Sequence, residues 1–264
     1  MSVAPAPAPR TWTPAAGTVA LLDLDPELGA QLDPERFAAA RSVLVVPVVR
    51  LPRGEWAGAE LRSIGHQNVG LLVVDGALAR EVVIEDTVST DLLGQGDLIR
   101  PWSADGELQL LSRHVRWHAL ADTRLAVLGR NFGAALVRFP EVNAALIERA
   151  CAHARRLATT AAISHLNSVE RRILALLWHL AERWGRVTAE GVMVPLALSH
   201  RQLGELVGAR RPTVSAAVAS LRRQGTLLRR RDATWLLTGK PPAASGDAAA
   251  HRGTPHRRQL LPVS

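Results

Sequence analysis

The stretch SHRQLGELVGARRPTVSAAVASLRRQG, residues Ser199–Gly225, decides the fold. Ser199 and Gln202 stand three apart, the spacing of a capping box at a helix start. Leu203, Leu206 and Val207 form the apolar face of a short helix, and Gly208 is a natural left-handed stop. After a short turn, Pro212 falls in the first turn of a second helix, where a missing N–H costs nothing. Val214, Val218 and Leu221 face inward; Thr213, Ser215, Ala216, Ala219 and Ser220 face elsewhere. Helix, glycine-bearing turn and helix is the helix-turn-helix pattern. It offers its second helix, here about 211–224, to the DNA major groove.

Charge sits at both ends of that second helix. Arg210 and Arg211 stand at its head, where guanidinium groups grip phosphate or bind guanine in pairs. Thr213 donates to phosphate, helped by the helix N-terminus. Arg222 and Arg223 lie at the other end, suited to flanking phosphates or to solvent. The following TLLRRRDATWLLTG, Thr226–Gly239, reads as a hairpin with a basic tip, Arg229, Arg230 and Arg231 against Asp232. A hairpin in this place makes a winged helix-turn-helix whose tip lies near the phosphate backbone. The expected DNA contacts are Ser199, Arg201, Arg210, Arg211, Thr213, Ser215, Arg222, Arg230 and Arg231.

Upstream, NSVERRILALLWHLAERWG reads as a helix with a capping box at Asn167 and Glu170 and a buried face of Ile173, Leu177, Leu180 and Trp184. Gly191–Leu198 is a strand candidate. Before these, Pro140 opens a long helix. Leu146, Ala150, His153, Leu157, Ala161 and Ser164 recur along it at spacings of three or four, a face for a second copy or for its own domain. Residues 42–129 alternate β-prone runs with Gly, Asp, Asn and Pro, as in a small sandwich or barrel. Asp75-Gly76 is a hairpin-turn signal within them. Asp23–Arg41 holds short helices opened by Asp-Pro pairs. The expected class is α+β: a disordered lead, 1–16; a jelly-roll-like β-roll with N-terminal helices, 17–129; a long linker and dimerisation helix, 130–166; a winged helix-turn-helix, 167–238; and a disordered basic tail, 239–264.

Charge follows this division. Residues 1–166 carry 16 Arg and Lys against 18 Asp and Glu, residues 167–238 carry 12 against 5, and residues 239–264 carry 4 against 1, giving −2, +7 and +3. A preference for arginine codons would explain why Lys240 is the only lysine, but not this asymmetry. A basic segment on a slightly acidic body suits a polyanion. One cysteine, Cys151, excludes a disulfide framework or a four-thiolate cluster within the chain. The chain lacks a run of about 18 apolar residues and a secretory h-region, so a cytoplasmic protein with no membrane partner is expected.

The order β-roll, long helix, winged helix-turn-helix over roughly residues 18–238 resembles the Crp/Fnr family of bacterial transcription regulators. The similarity is carried most strongly by 167–238, and within it by the capped helix, the Leu-Gly-x-Leu-Val-Gly core and Thr213-Val214 early in the second helix. The resemblance implies a homodimer on double-stranded DNA, Arg211 as a base-reading residue, and phosphate contacts from Ser199, Arg210 and Thr213. RNA polymerase is a further partner of that reading. Pro212 and Ala216 occupy positions where the cyclic-AMP-responsive members carry base-reading Glu and Arg. LLGQGDLIRPW, Leu92–Trp102, resembles the family's Gly-x-Gly-Asp turn, but Arg100, Pro101 and Trp102 replace the Gly-Glu that binds ribose. SRHVRWHAL lacks the Arg-Ser/Thr-Ala cassette that pairs with the cyclic phosphate. The usual response to cyclic AMP is therefore not expected. Neither is any metal or other cofactor, and an unidentified small-molecule effector remains open.

His114 and His118 read as surface or core residues rather than haem or metal ligands, Cys151 as a small buried residue rather than a redox switch, and the tryptophans Trp12, Trp56, Trp102 and Trp117 as core rather than a pocket. No Gly-rich phosphate loop, GxSxG or HExxH is present, so an enzyme is not expected. The competing reading is a winged-helix protein-interaction module or an architectural, non-specific DNA binder.

Overall fold

The computed structural model describes residues 13–56, 69–101 and 110–242. Trp12, Trp102 and the basic tail beyond 242 lie outside them. The chain opens with β1 (Thr13–Ala20), α1 (Leu21–Leu24), a 3-10 turn (Pro26–Gly29) and α2 (Pro34–Val43). Both Asp-Pro pairs stand at helix starts as expected, and the Asp33 carboxylate accepts from the Arg36 N–H at 2.8 Å. β1 corrects one expectation: residues 13–16 belong to a strand, not to a disordered lead. β1 is a sheet edge, the place in a sheet where a proline such as Pro14 is tolerated.

Among the described residues, eight further strands complete a two-sheet roll. They are β2 (Val45–Leu51), β3 (Gly54–Trp56), β4 (Gly70–Asp75), β5 (Ala77–Ile84), β6 (Thr87–Gly94), β7 (Leu98–Ile99), β8 (His114–Ala119) and β9 (Thr123–Leu128), with β1 before them. One sheet runs β1-β2-β9-β4-β7 and the other β3-β8-β5-β6. Strand periodicity builds both faces. Leu71 and Val73 of β4, with Leu125 and Val127 of β9, point between the sheets. Leu72 and Val74, with Ala126 and Leu128, point outward onto α1, α2 and the following helices. Trp56 and Trp117 meet edge to face inside the roll, ring centroids 5.9 Å apart, so these two fill core. Asp75-Gly76 is a turn but not a hairpin: β4 and β5 belong to different sheets, and the turn carries the chain from one to the other.

α3 (Arg130–Leu136) leads to α4 (Pro140–Ser164), the long helix, with Pro140 in its first turn. The C-terminal domain follows as α5 (Val169–Trp184), β10 (Arg186–Thr188), β11 (Gly191–Val194), α6 (His200–Val207), α7 (Arg211–Arg223), β12 (Leu227–Arg229) and β13 (Trp235–Leu237). The α5 cap is Ser168, which accepts from Arg171 N–H, and not Asn167, whose side chain accepts from the Arg171 guanidinium instead. The expected strand at Gly191 is β11, and its partner β10 completes a four-stranded sheet, β10-β11-β13-β12.

The two domains share one apolar core. Ala77, Ala79 and Leu92, on the outer face of β5 and β6, cluster with Ile173, Leu176, Leu203, Leu206 and Val214 of the helical domain. On α4, the expected single seam divides. Leu146 and His153 are buried against the β domain, whereas Ala150, Leu157 and Ala161 are exposed. The β domain covers a face centred on Val142, Leu146 and His153, and so takes part of the predicted seam for itself. What remains open includes Ala150 and Leu157 of that seam and, further round the helix from the covered face, a stripe of Ala144, Ile147, Cys151, Ala154, Ala158 and Ala161. Cys151 is exposed, contrary to the expectation of a buried thiol.

Candidate DNA interface

The interface is built on α6, α7 and the β12–β13 wing. Ser199 caps α6 in a full capping box, its Oγ accepting from Gln202 N–H while the Gln202 side chain accepts from Ser199 N–H at 3.0 Å. Gly208 ends α6 in the left-handed region, φ 65°. Gly204 lets the turn close: a Cβ there would stand 2.4 Å from the Ala209 carbonyl oxygen. Val214, Ala217, Val218 and Leu221 then bury one face of α7, which leaves its head exposed.

Arg210 is the residue before α7, Arg211 its first, and Thr213 follows within the first turn; all are exposed. The head therefore presents two guanidinium groups and a hydroxyl beside free helix N–H groups, a set suited to anions. Arg201 is also exposed, but its Nε donates to Glu205 at 2.7 Å and its guanidinium stands 3.8 Å from Glu81. Ser215 turns sideways and hydrogen-bonds His200 at 2.9 Å, tying α6 to α7. Arg222 is exposed on the far half of α7. Arg230 and Arg231 sit in the wing turn, Arg230 3.6 Å from Glu190. That turn is shaped by Asp232, whose side chain accepts from Thr234 N–H at 3.1 Å.

Between α7 and the wing runs a cleft of about 1060 Å³, lined by His200, Ser215, Arg222, Arg223 and Arg229 together with Val218, Ala219 and Leu227. No acidic residue lines it. Arg223 is absent from the expected contact set, and so are His200 and Arg229. The latter two pack on the buried Trp235, His200 with ring centroids 6.2 Å apart and Arg229 with its guanidinium 5.4 Å from the ring. Burial, then the charges of Arg229 and Arg211, hold His200 below the ordinary imidazole range. No sequence periodicity marks His200; only the fold brings it to Ser215 and Trp235.

A second cleft, about 910 Å³, lies where Asp86 of the β5–β6 turn and Thr87 and Val88 at the start of β6 approach Arg201, Arg210 and Arg211. The same domain contact is held by Thr90 Oγ donating to Glu205 at 3.0 Å. His114 and His118 share β8, and His118 faces Glu81 at 3.4 Å, beside Arg116 at 2.9 Å. Among the described residues, no three His, Cys, Asp or Glu side chains are grouped to hold a metal ion, and no helix is long and apolar enough to cross a membrane.

Residues 171–238 match the family described as the Crp-like helix-turn-helix domain. Among solved structures, a double mutant of CooA from Carboxydothermus hydrogenoformans is 20% identical, with 73% of this chain and 83% of that one covered and a TM-score of 0.57. FixK2 from Bradyrhizobium japonicum is 19% identical, with 75% of this chain and 98% of that one covered and a TM-score of 0.55. At these identities the likeness is one of fold. No curated protein matches the sequence.

Proposed function

We propose, for a chain that has the Crp/Fnr fold and a Crp-like helix-turn-helix domain over residues 171–238, that it is a dimeric, sequence-specific DNA-binding transcription regulator. The observation that carries this reading is the cleft between α7 and the wing. It is lined by three arginines and no acid, with Arg222 and Arg223 at the end of the helix whose head bears Arg210 and Arg211. In this reading α7 enters the major groove, Arg211 meets base edges, and Arg210, Thr213 and Ser199 hold phosphates. Arg222, Arg223 and Arg229 follow the flanking backbone along the cleft, and Arg230 and Arg231 add non-specific attraction from the wing.

Dimerism is supported by the open stripe on α4. Ala144, Ile147, Cys151, Ala154, Ala158 and Ala161 alternate spacings of three and four and are all exposed in the single chain. Small side chains let two copies of α4 approach closely. Two recognition helices then fall about one DNA turn apart, so the site is two-fold symmetric.

The test is selection of sites from fragmented genomic DNA by the purified chain, followed by affinity across a salt series. A two-fold symmetric enriched site supports the regulator. Salt-sensitive binding with no enriched site favours an architectural protein, and no DNA binding at all ends the reading.

A further inference from the structure

The turn between β6 and β7 meets α4 and α5 at a cleft of about 690 Å³, lined among others by Gln95, Asp97, Arg149, Arg156, His179 and Arg183. Asp97 is 1% exposed. It accepts from Arg183 at 2.7 Å, from Arg156, and from the Gly94 backbone N–H at 2.8 Å. One buried carboxylate thus answers two guanidinium groups. Arg183 also donates to the Gln95 carbonyl.

The third guanidinium, Arg149, packs on Gly96 and reaches Glu27 at 2.6 Å and Asp25 at 3.4 Å. The Glu27 side chain is 79% exposed, so solvent screens it. Burial, the leading effect, raises Asp25 above the usual carboxylate value. The remaining acid of the lining, Glu182, pairs with His179 at 3.0 Å and is 75% exposed. With the partners of Arg149 counted, the three guanidinium groups of Arg149, Arg156 and Arg183 face four carboxylates: Asp97 and Glu182 in the lining, and Glu27 and the buried Asp25 beside it. Burial first, and the Arg183 charge against the opposing pull of Asp97, hold Arg156 below the usual guanidinium value. Asp97 offsets the cost of holding Arg156 and Arg183, half-buried like charges, side by side.

We propose that this cleft binds a small phosphate-bearing anion, gripped by Arg149, Arg156 and Arg183. Each guanidinium has five N–H donors in a planar fork. The bonds to Asp97 and to Gln95 orient the forks without exhausting them. Phosphate oxygens match that fork. The site joins three parts: a turn of the β-roll, the long helix, and the first helix of the DNA-binding domain. An occupant would therefore bias how the two domains sit, and so the DNA affinity. That consequence rests on the DNA-binding reading; the binding itself does not.

The test uses the full chain and inorganic pyrophosphate at constant ionic strength, with binding followed by calorimetry. Wild type, Arg149→Gln, Arg156→Gln and, as a control on the DNA face, the double variant Arg222→Gln/Arg229→Gln are compared. The expected result is saturable binding that weakens about tenfold or more in the two cleft variants, the scale of a lost charge-assisted bond, and persists in the control. Absence of saturable binding, or binding lost in the control and kept in the cleft variants, overturns the proposal. If Arg156→Gln does not fold, Arg149→Gln decides, because glutamine keeps N–H donors toward the buried Asp25 and the other partner, Glu27, is exposed. A purely structural network would lower Tm in these variants without changing the rise in Tm that pyrophosphate causes. Pyrophosphate binding in a chain that binds no DNA would leave the anion site standing and remove only its proposed consequence.

Discussion

Arg211 and His200 show two ways a single side chain serves the proposed interface. Arg211 is exposed at the α7 head with no carboxylate among its hydrogen-bond partners in the described residues, so it is free to read a base. Arg211→Ala is expected to cost about 1–3 kcal/mol on the preferred site and to relax its sequence preference, with little change on unrelated DNA. Competition binding against single-base variants of the site measures this. His200 acts from below, fixed by Ser215 and Trp235. Its unfolded imidazole takes up a proton near 6.5, and the folded one at lower pH. Between those values the unfolded state binds more protons, so stability is full above pH 6.5 and falls as pH is lowered through the window. Tm is expected to fall from about pH 7 to about pH 5.5, and to fall less steeply in His200→Gln. Equal slopes would remove His200 from the account. The capping pair Ser199 and Gln202, and the stop at Gly208, were legible from spacing because caps and left-handed turns are local.

At the scale of elements, α4 is where periodicity stopped short. Spacings of three and four identify a helix and a face, but several faces of α4 satisfy them. Which one is free depends on where the β domain sits, and it covers Leu146 and His153. The open stripe and the covered face make opposite predictions. Ile147→Glu or Ala158→Glu is expected to yield monomers by sedimentation while leaving the fold intact. Leu146→Ala is expected to cost about 2–5 kcal/mol of stability and leave assembly unchanged. Cys151 offers an independent reading, since two copies packed in parallel bring their thiols together. Mild oxidation should then join them as a covalent dimer, with each thiol giving up one electron and one proton.

For the whole molecule, the decisive feature is the docking of the helical domain on the outer face of β5 and β6. The shared cluster of Ala77, Ala79 and Leu92 with the α5–α7 core brings the acidic β5–β6 turn beside the arginines of the α7 head. Exposed Asp86 therefore opposes approaching phosphates with its own charge. Asp86→Asn is expected to tighten DNA binding by a small factor, about two- to fivefold, mainly through a faster on-rate and most clearly at low salt. Association rates across a salt series check it; an unchanged rate would place the turn away from the bound DNA.

The sequence by itself determined the elements whose physics is local. These are the winged helix-turn-helix with its caps, the basic wing, the long helix, and the β-roll with strands such as Leu71–Val74, whose alternating side chains serve two cores. Composition also placed the positive charge in the C-terminal third. Tertiary structure alone decided which face of α4 stays open, that Asp75-Gly76 joins two sheets instead of two paired strands, and that His200 and Arg229 line the cleft beside α7. It alone gathered Asp97, Arg149, Arg156 and Arg183 from three elements into one site. Each of these depends on contacts between residues far apart in the chain, and no periodicity or spacing within a segment encodes its distant partners.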